Sequence, residues 1–187
     1  MINNVCVFCG SNKPKNDTFF EKEAIRLAKM LYEKKIKLIY GGAKIGIMGI
    51  ISNELIKRGG EVIGIIPKFL TSKEIVNRKL TELIIVNSMH ERKKKMYDLA
   101  DAFIILPGGI GTLEELSEII TWKVLGIKKK EIFLININGF YNNLLKQFEI
   151  MEKHNFLYSN IFEEIKVINE SEDLKHKIYL NQFLLMV

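Results

Sequence analysis

The sequence predicts a doubly wound α/β domain, with about seven parallel strands in one sheet and helices on both faces. Three observations predict it. Short apolar runs recur along the chain, and they are apolar at successive positions rather than alternating, as strands buried on both faces are. Between them lie stretches whose apolar residues fall three and four apart, the spacing of amphipathic helices. Gly-rich turns join several of the runs to the helices that follow.

The strands are expected at Val5 to Cys9, Lys37 to Tyr40, Glu61 to Ile66, Glu82 to Val86, Ala102 to Leu106, Ile132 to Ile135 and Ile165 to Ile168. Phe20, Ala24, Leu27, Ala28 and Leu31 mark the first helix, and Thr18 with Glu21 has the form of a capping box at its start. Further helices are expected at Ile47 to Arg58, closed by Gly59 and Gly60, then His90 to Ala100, Leu113 to Leu125, Tyr141 to Lys153 and Glu172 to Leu184. Parallel strands joined through helices take right-handed crossovers, so the chain should form one Rossmann-like domain over residues 1–187. Ligands of such sheets sit outside the carboxyl ends of the strands. That places the loops Gly10 to Asp17, Gly41 to Gly46, Pro67 to Lys79, Asn87 to His90 and Pro107 to Thr112 on one rim.

Composition narrows the class. The chain has 187 residues, 48% of them hydrophobic and 27% charged, which suits a globular domain that needs no staples. The N-terminus lacks a signal-like charged and apolar segment, and no apolar run approaches the ~20 residues of a membrane helix. A cytoplasmic protein with no membrane partner is expected. Cys6 and Cys9 form a C-x-x-C on one strand, where residues three apart face opposite ways, so two reduced thiols are expected. Net charge is +6, densest at Lys93-Lys94-Lys95 and Lys128-Lys129-Lys130. Neither run is interleaved with aromatics and no nucleic-acid motif is present, which favours small phosphorylated ligands over nucleic acid. Three histidines assemble no convincing metal set, and no cofactor is expected.

The chemistry concentrates in Leu106-Pro107-Gly108-Gly109-Ile110-Gly111-Thr112-Leu113-Glu114-Glu115. Glycines let backbone approach an anion, and the helix start offers free N–H groups and partial positive charge, so a phosphate fits there. The dinucleotide fingerprint fails because its sixth position, counted from Gly109, is Glu114; a Walker A loop is also absent. Glu114 and Glu115 either complement the helix dipole or point one carboxylate into the cleft. A second Gly-rich turn runs from Gly41 to Gly49, where Gly41 and Gly42 are expected to line the site and Gly49 to serve packing. Arg92, near a helix start at the rim, suits bidentate recognition of a phosphate or ribose, and His90 could cap or stack.

Taken together, Cys9-Gly10-Ser11, Gly41-Gly42 through Met48-Gly49, Ser88-Met89-His90-Glu91-Arg92-Lys93 and Pro107 to Glu115 resemble the LOG ("lonely guy") family of cytokinin-activating enzymes, as far as about Asn155. The resemblance implies a phosphoribohydrolase that cleaves the N-glycosidic bond of purine nucleoside 5′-monophosphates, AMP or N6-prenylated AMP, releasing free base and ribose 5-phosphate. It makes Arg92 and Glu115 the catalytic pair. Glu74, Arg92, Lys93, Gly108, Gly109, Ile110, Gly111, Thr112, Leu113, Glu114 and Thr121 match ligand-contacting positions, with Ser11 in a matching motif and Met89 beside the base. It also implies a homodimer, for which the helix around Trp122 could supply an interface, although Trp122 is equally plausible as core. Ala43 and Ile110 stand where family members often have Gly and Tyr. Many relatives carry a lysine decarboxylase label, for which the sequence offers no pyridoxal-phosphate lysine context. A non-catalytic nucleotide sensor on the same fold is the competing reading, and the joint presence of Arg92 and Glu115 argues against it.

Overall fold

A computed structural model describes residues 2–14, 18–71, 75–127 and 129–169. Its strands are β1 (Asn4–Phe8), β2 (Lys37–Tyr40), β3 (Val62–Pro67), β4 (Glu82–Val86), β5 (Ala102–Ile105), β6 (Glu131–Ile135) and β7 (Lys166–Ile168). All pairings among them are parallel, in the order β4-β3-β2-β1-β5-β6-β7. The helices are α1 (Phe19–Glu33), α2 (Gly46–Lys57), α3 (Lys68–Thr71), α4 (Met89–Leu99), α5 (Ile110–Val124), α6 (Asn142–Lys153) and α7 (Ile161–Glu164). Every expected strand is present within a residue or so at each end. The helix expected at Glu172 to Leu184 lies outside the described residues.

Period-two geometry divides the central strands between two cores. Val5 and Val7 of β1, with Ala102 and Ile104 of β5, face α1 and α2, whereas Cys6, Phe8, Phe103 and Ile105 face α4 and α5. Cys6 and Cys9 are both free and buried, one in each core, as the strand reading required. Phe103 is fully buried, stacked between Phe8 and Tyr97, so truncating it to alanine should cost about 3–5 kcal/mol. Trp122 meets Tyr97 edge-on at 4.6 Å, which assigns it to this second core.

The order in which strands are added reverses between β1 and β5, the switch point of a doubly wound sheet. Val5 pairs with Ala102 and Phe8 with Ile105, so the two strands end level. At their opposite ends the Asn3 and Asn4 amides both donate to the Asp101 carboxylate at 2.8 Å. Among the described residues, the crossover from β3 to β4 holds one helical turn, α3, and, from Ile75 on, extended and turn segments.

Two expectations about helix starts need correction. Thr18 makes no side-chain cap bond, its backbone being already near-helical, and Glu21 instead pairs with Lys13 at 3.4 Å. The capping box forms at α4: Ser88 Oγ accepts the Glu91 amide at 3.1 Å, and the Glu91 carboxylate accepts the Asn87 amide at 2.8 Å. His90 is therefore not the cap. The second correction concerns α5, which begins at Ile110 rather than Leu113, because Gly111 and Thr112 take helical geometry once Gly109 supplies the extended cap residue. No acidic residue then falls in its first turn, so the dipole explanation of Glu114 and Glu115 does not hold.

Candidate active site

The glycine-rich loop leaves β5 beside the end of β1. The Gly10 amide donates to the Pro107 carbonyl at 3.1 Å. A Cβ on Gly108 would overlap the Thr112 side chain and lie 2.9 Å from the Gly10 nitrogen, so this close approach requires glycine. Gly109 caps α5, accepting the Leu113 amide at 3.1 Å. The amides of Ile110, Gly111 and Thr112 precede the first intrahelical acceptor and find none among the described residues. Such a trio of donors, at the positive end of a helix and on the ligand rim, is suited to a phosphate.

The second Gly-rich turn differs. At the start of α2 the Ile47 and Met48 amides donate to the Gly10 carbonyl at 3.0 and 3.4 Å, so this helix end is already capped by backbone. Gly46, at φ +60°, lies against the Ser11 carbonyl where a Cβ would collide. Gly41 and Gly42, expected to line the site, are both buried. Gly42, at φ +77°, packs against β3, and Gly41 leaves the space that Arg92 Nη2 fills. Its missing Cβ seats the guanidinium.

Arg92 lies one turn into α4. Its Nε donates to the Ile65 carbonyl at 3.1 Å, and its Nη1 stands 3.5 Å from Glu115 Oε1. Their side chains are 11% and 12% exposed, which keeps the pair at the edge of solvent. Burial pushes the Glu115 carboxyl up to about 7, against the opposing pull of Arg92 and with added repulsion from Glu114 and Glu118. Lys93, beside Arg92, is itself buried and bridges Glu114 Oε1 at 2.5 Å and Glu118 Oε1 at 3.1 Å. It thus neutralises the two carboxylates that flank Glu115.

Comparison with known proteins places this arrangement. A family model described as "Possible lysine decarboxylase" matches residues 48–178. Cytokinin riboside 5′-monophosphate phosphoribohydrolase LOG2 of Arabidopsis thaliana is 50% identical over 141 residues, which cover 75% of this chain and 66% of that protein. The rice enzyme LOG is 45% identical over 153 residues, covering 82% and 63%. Arabidopsis LOG3 is 41% identical over 174 residues, covering 93% and 80%. The chain belongs to the LOG family. It spans just under two thirds of the length of LOG2 and of the rice enzyme. Solved structures of the same fold include the molybdenum cofactor carrier protein of Chlamydomonas reinhardtii, at TM-score 0.68, 14% identity and 96% and 98% coverage. The molybdenum cofactor binding protein of Rippkaea orientalis matches at TM-score 0.67, 20% identity and 97% and 95% coverage.

Of the positions matched to the LOG family, the fold brings together Arg92, Glu115 and the loop from Gly108 to Thr112. Met89, the first residue of α4, is half-buried one turn before Lys93, and Leu113 is half-buried behind the loop. Ile110 is 81% exposed at the loop's tip, where the family often has Tyr. Ser11 shares with Gly108 and Gly109 of the loop a cavity of about 340 Å³, walled also by Phe20, Ile47 and Phe140. Within this one chain Thr121 stands away from Glu115. It lies six residues beyond Glu115, about 9 Å along the helix and some 240° around it. Its hydroxyl is spent on the Ser117 carbonyl at 2.8 Å. Glu74 lies outside the described residues. Sequence reasoning missed Glu118 and the Ile65 carbonyl; Glu118 carried a signal, being four residues after Glu114 and hence on the same face.

Proposed function

We propose that the protein hydrolyses the N-glycosidic bond of a purine nucleoside 5′-monophosphate, AMP or its N6-prenylated form, to the free base and ribose 5-phosphate. The observation that carries this reading is a nearly buried carboxyl tuned to neutrality, held 3.5 Å from Arg92 and three residues past the open amides of α5. Phosphate on those amides would anchor the nucleotide, with Glu115 on the adjacent turn facing the ribose. Bond cleavage develops positive charge on the sugar, which an ionised Glu115 stabilises while it orients a hydroxyl or the attacking water. Arg92, fixed by Ile65 and Gly41, keeps the carboxylate aimed. Phosphate binding energy would then be used to hold the ribose in reactive geometry, so a nucleoside lacking phosphate should lose kcat as well as affinity.

The reading extends to a cytoplasmic homodimer. Among the described residues no helix is long and apolar enough to cross a membrane. Support for a second copy comes from the surface beside the end of α5, where Leu125, Phe156 and Tyr158 are 64%, 79% and 96% exposed around a cavity of about 240 Å³ that includes Thr121. The deciding experiment incubates the protein with AMP, with isopentenyladenosine monophosphate and with adenosine, and follows base and ribose 5-phosphate by chromatography. Release from the monophosphates alone, lost in Glu115→Ala, is expected. Tight AMP binding without any base release would instead make the protein a nucleotide carrier.

A further inference from the structure

The segment from Asn136 to Asn142 joins β6 to α6 through a tight turn that the catalytic reading does not use. The Asn136 amide donates to the Ile168 carbonyl, at the end of β7, at 2.7 Å. The chain then reverses through Asn138 and Gly139, at φ +55° and +70°, a region that asparagine and glycine tolerate best. The Asn136 side chain, 6% exposed, closes the turn from within. Its Oδ1 accepts the Tyr141 amide at 2.7 Å, and its Nδ2 donates to Asn142 Oδ1 at 2.9 Å.

A turn so braced fixes Tyr141. Its side chain is buried, with the ring edge-on to Phe140 at 4.9 Å. It stands at the cap position of α6 yet gives that helix no side-chain bond. The hydroxyl crosses instead to the end of β5, where it donates to the Leu106 carbonyl at 2.8 Å. Burial pushes the phenol up, with added repulsion from Cys9 and an opposing pull from the Gly108 backbone, so the oxygen keeps the proton it donates.

Leu106 opens the glycine-rich loop. The next carbonyl, that of Pro107, accepts the Gly10 amide at 3.1 Å, so two successive carbonyls are pinned, one from β1 by backbone and one from the β6–α6 turn by a hydroxyl. Between these pins and the open amides of Ile110, Gly111 and Thr112 stand only Gly108 and Gly109, whose backbone is the easiest to deform. A buried carbonyl deprived of its donor must find another, and here the loop is what would move. We propose that Tyr141 is a positioning residue, which aims the open amides of α5 by holding Leu106 and thereby sets the affinity for the phosphate rather than for the base or ribose. The inference rests on the phosphate site proposed above.

The test is a calorimetric titration with AMP, inorganic phosphate and adenosine of Glu115→Gln, and of Tyr141→Phe and Asn142→Ala each added to it. Glu115→Gln suppresses turnover, so binding is read whether or not the protein hydrolyses AMP. Tyr141→Phe keeps the ring and its packing on Phe140 and should fold; Asn142→Ala is an exposed change that frees Asn136 and leaves the hydroxyl in place. Tyr141→Phe should weaken AMP and phosphate roughly tenfold, the equivalent of one charge-assisted hydrogen bond, with adenosine affinity unchanged. Asn142→Ala should give a smaller loss of the same kind. Parental affinity for AMP and phosphate in Tyr141→Phe, or an adenosine loss as large as the AMP loss in either variant, would overturn the role of Tyr141 and leave the phosphate site standing. Absence of AMP binding by the Glu115→Gln parent and by wild type would refute the phosphate site itself, and the inference with it.

Discussion

Replacing Glu115 by glutamine should make the protein more stable at alkaline pH while removing its activity. The carboxyl titrates at about 7 in the folded chain against 4.5 ordinarily, with burial as the main cause. Between those values the folded protein keeps a proton that the unfolded chain has released. The stability that the protonated group contributes is therefore complete below pH 4.5, declines through the window, and is gone above 7. The difference corresponds to about 3 kcal/mol, which glutamine, having nothing to ionise, does not lose. Urea unfolding of both proteins should show the Gln variant gaining about that much on wild type between about pH 4 and pH 8, or roughly 6–12 °C in Tm. A stability difference that stays constant across this range, or one that turns in favour of wild type as pH rises, would refute the claim that ionised Glu115 is held at a cost.

The same titration governs rate: kcat/KM for AMP should rise as one proton leaves near pH 7 and level off above it, whereas a flat profile between pH 5 and 8 would leave Glu115 without the assigned charge. Lys93→Gln should move that limb to higher pH, because Glu114 and Glu118 would then repel the Glu115 carboxylate uncompensated; an unmoved limb would show that Lys93 acts only on the ligand. Gly41→Ala places a methyl where Arg92 Nη2 sits, and a displaced guanidinium should lower kcat/KM by roughly 10²-fold. Wild-type turnover in that variant would show that the seat at Gly41 is not required.

Strand placement was legible because doubly buried strands are continuous apolar runs, as in Ala102-Phe103-Ile104-Ile105. Helix starts were harder. Thr18-x-x-Glu21 and Ser88-x-x-Glu91 present the same pattern, and only the second closes into a box, because the Thr18 backbone has already turned helical. At α5 the glycines read as loop, yet Gly111 is the second residue of the helix, a position where propensity yields to the cap before it. The Arg92–Glu115 pair was visible through its motifs, but its electrostatics were not. Lys93 meets Glu114 and Glu118 only because α4 and α5 lie side by side across the switch point, a contact no local spacing encodes. Likewise Gly41 looked like a ligand contact, since sequence shows that space was left but not which side chain fills it.

The pairing of β1 with β5 has a kinetic consequence. The strands joined there are separated by the whole β2–β4 half of the sheet, so their contact closes one of the longest loops in the described fold. Arg92 is anchored to that first half, through Ile65 and Gly41, while Glu115 follows β5. Both anchors of the arginine belong to the β2–β3–β4 half, whereas the carboxylate beside it comes only with β5. The Arg92–Glu115 pair thus assembles with the closure of the sheet and not by degrees, and under the proposed activity a partly folded population would be inactive rather than slow.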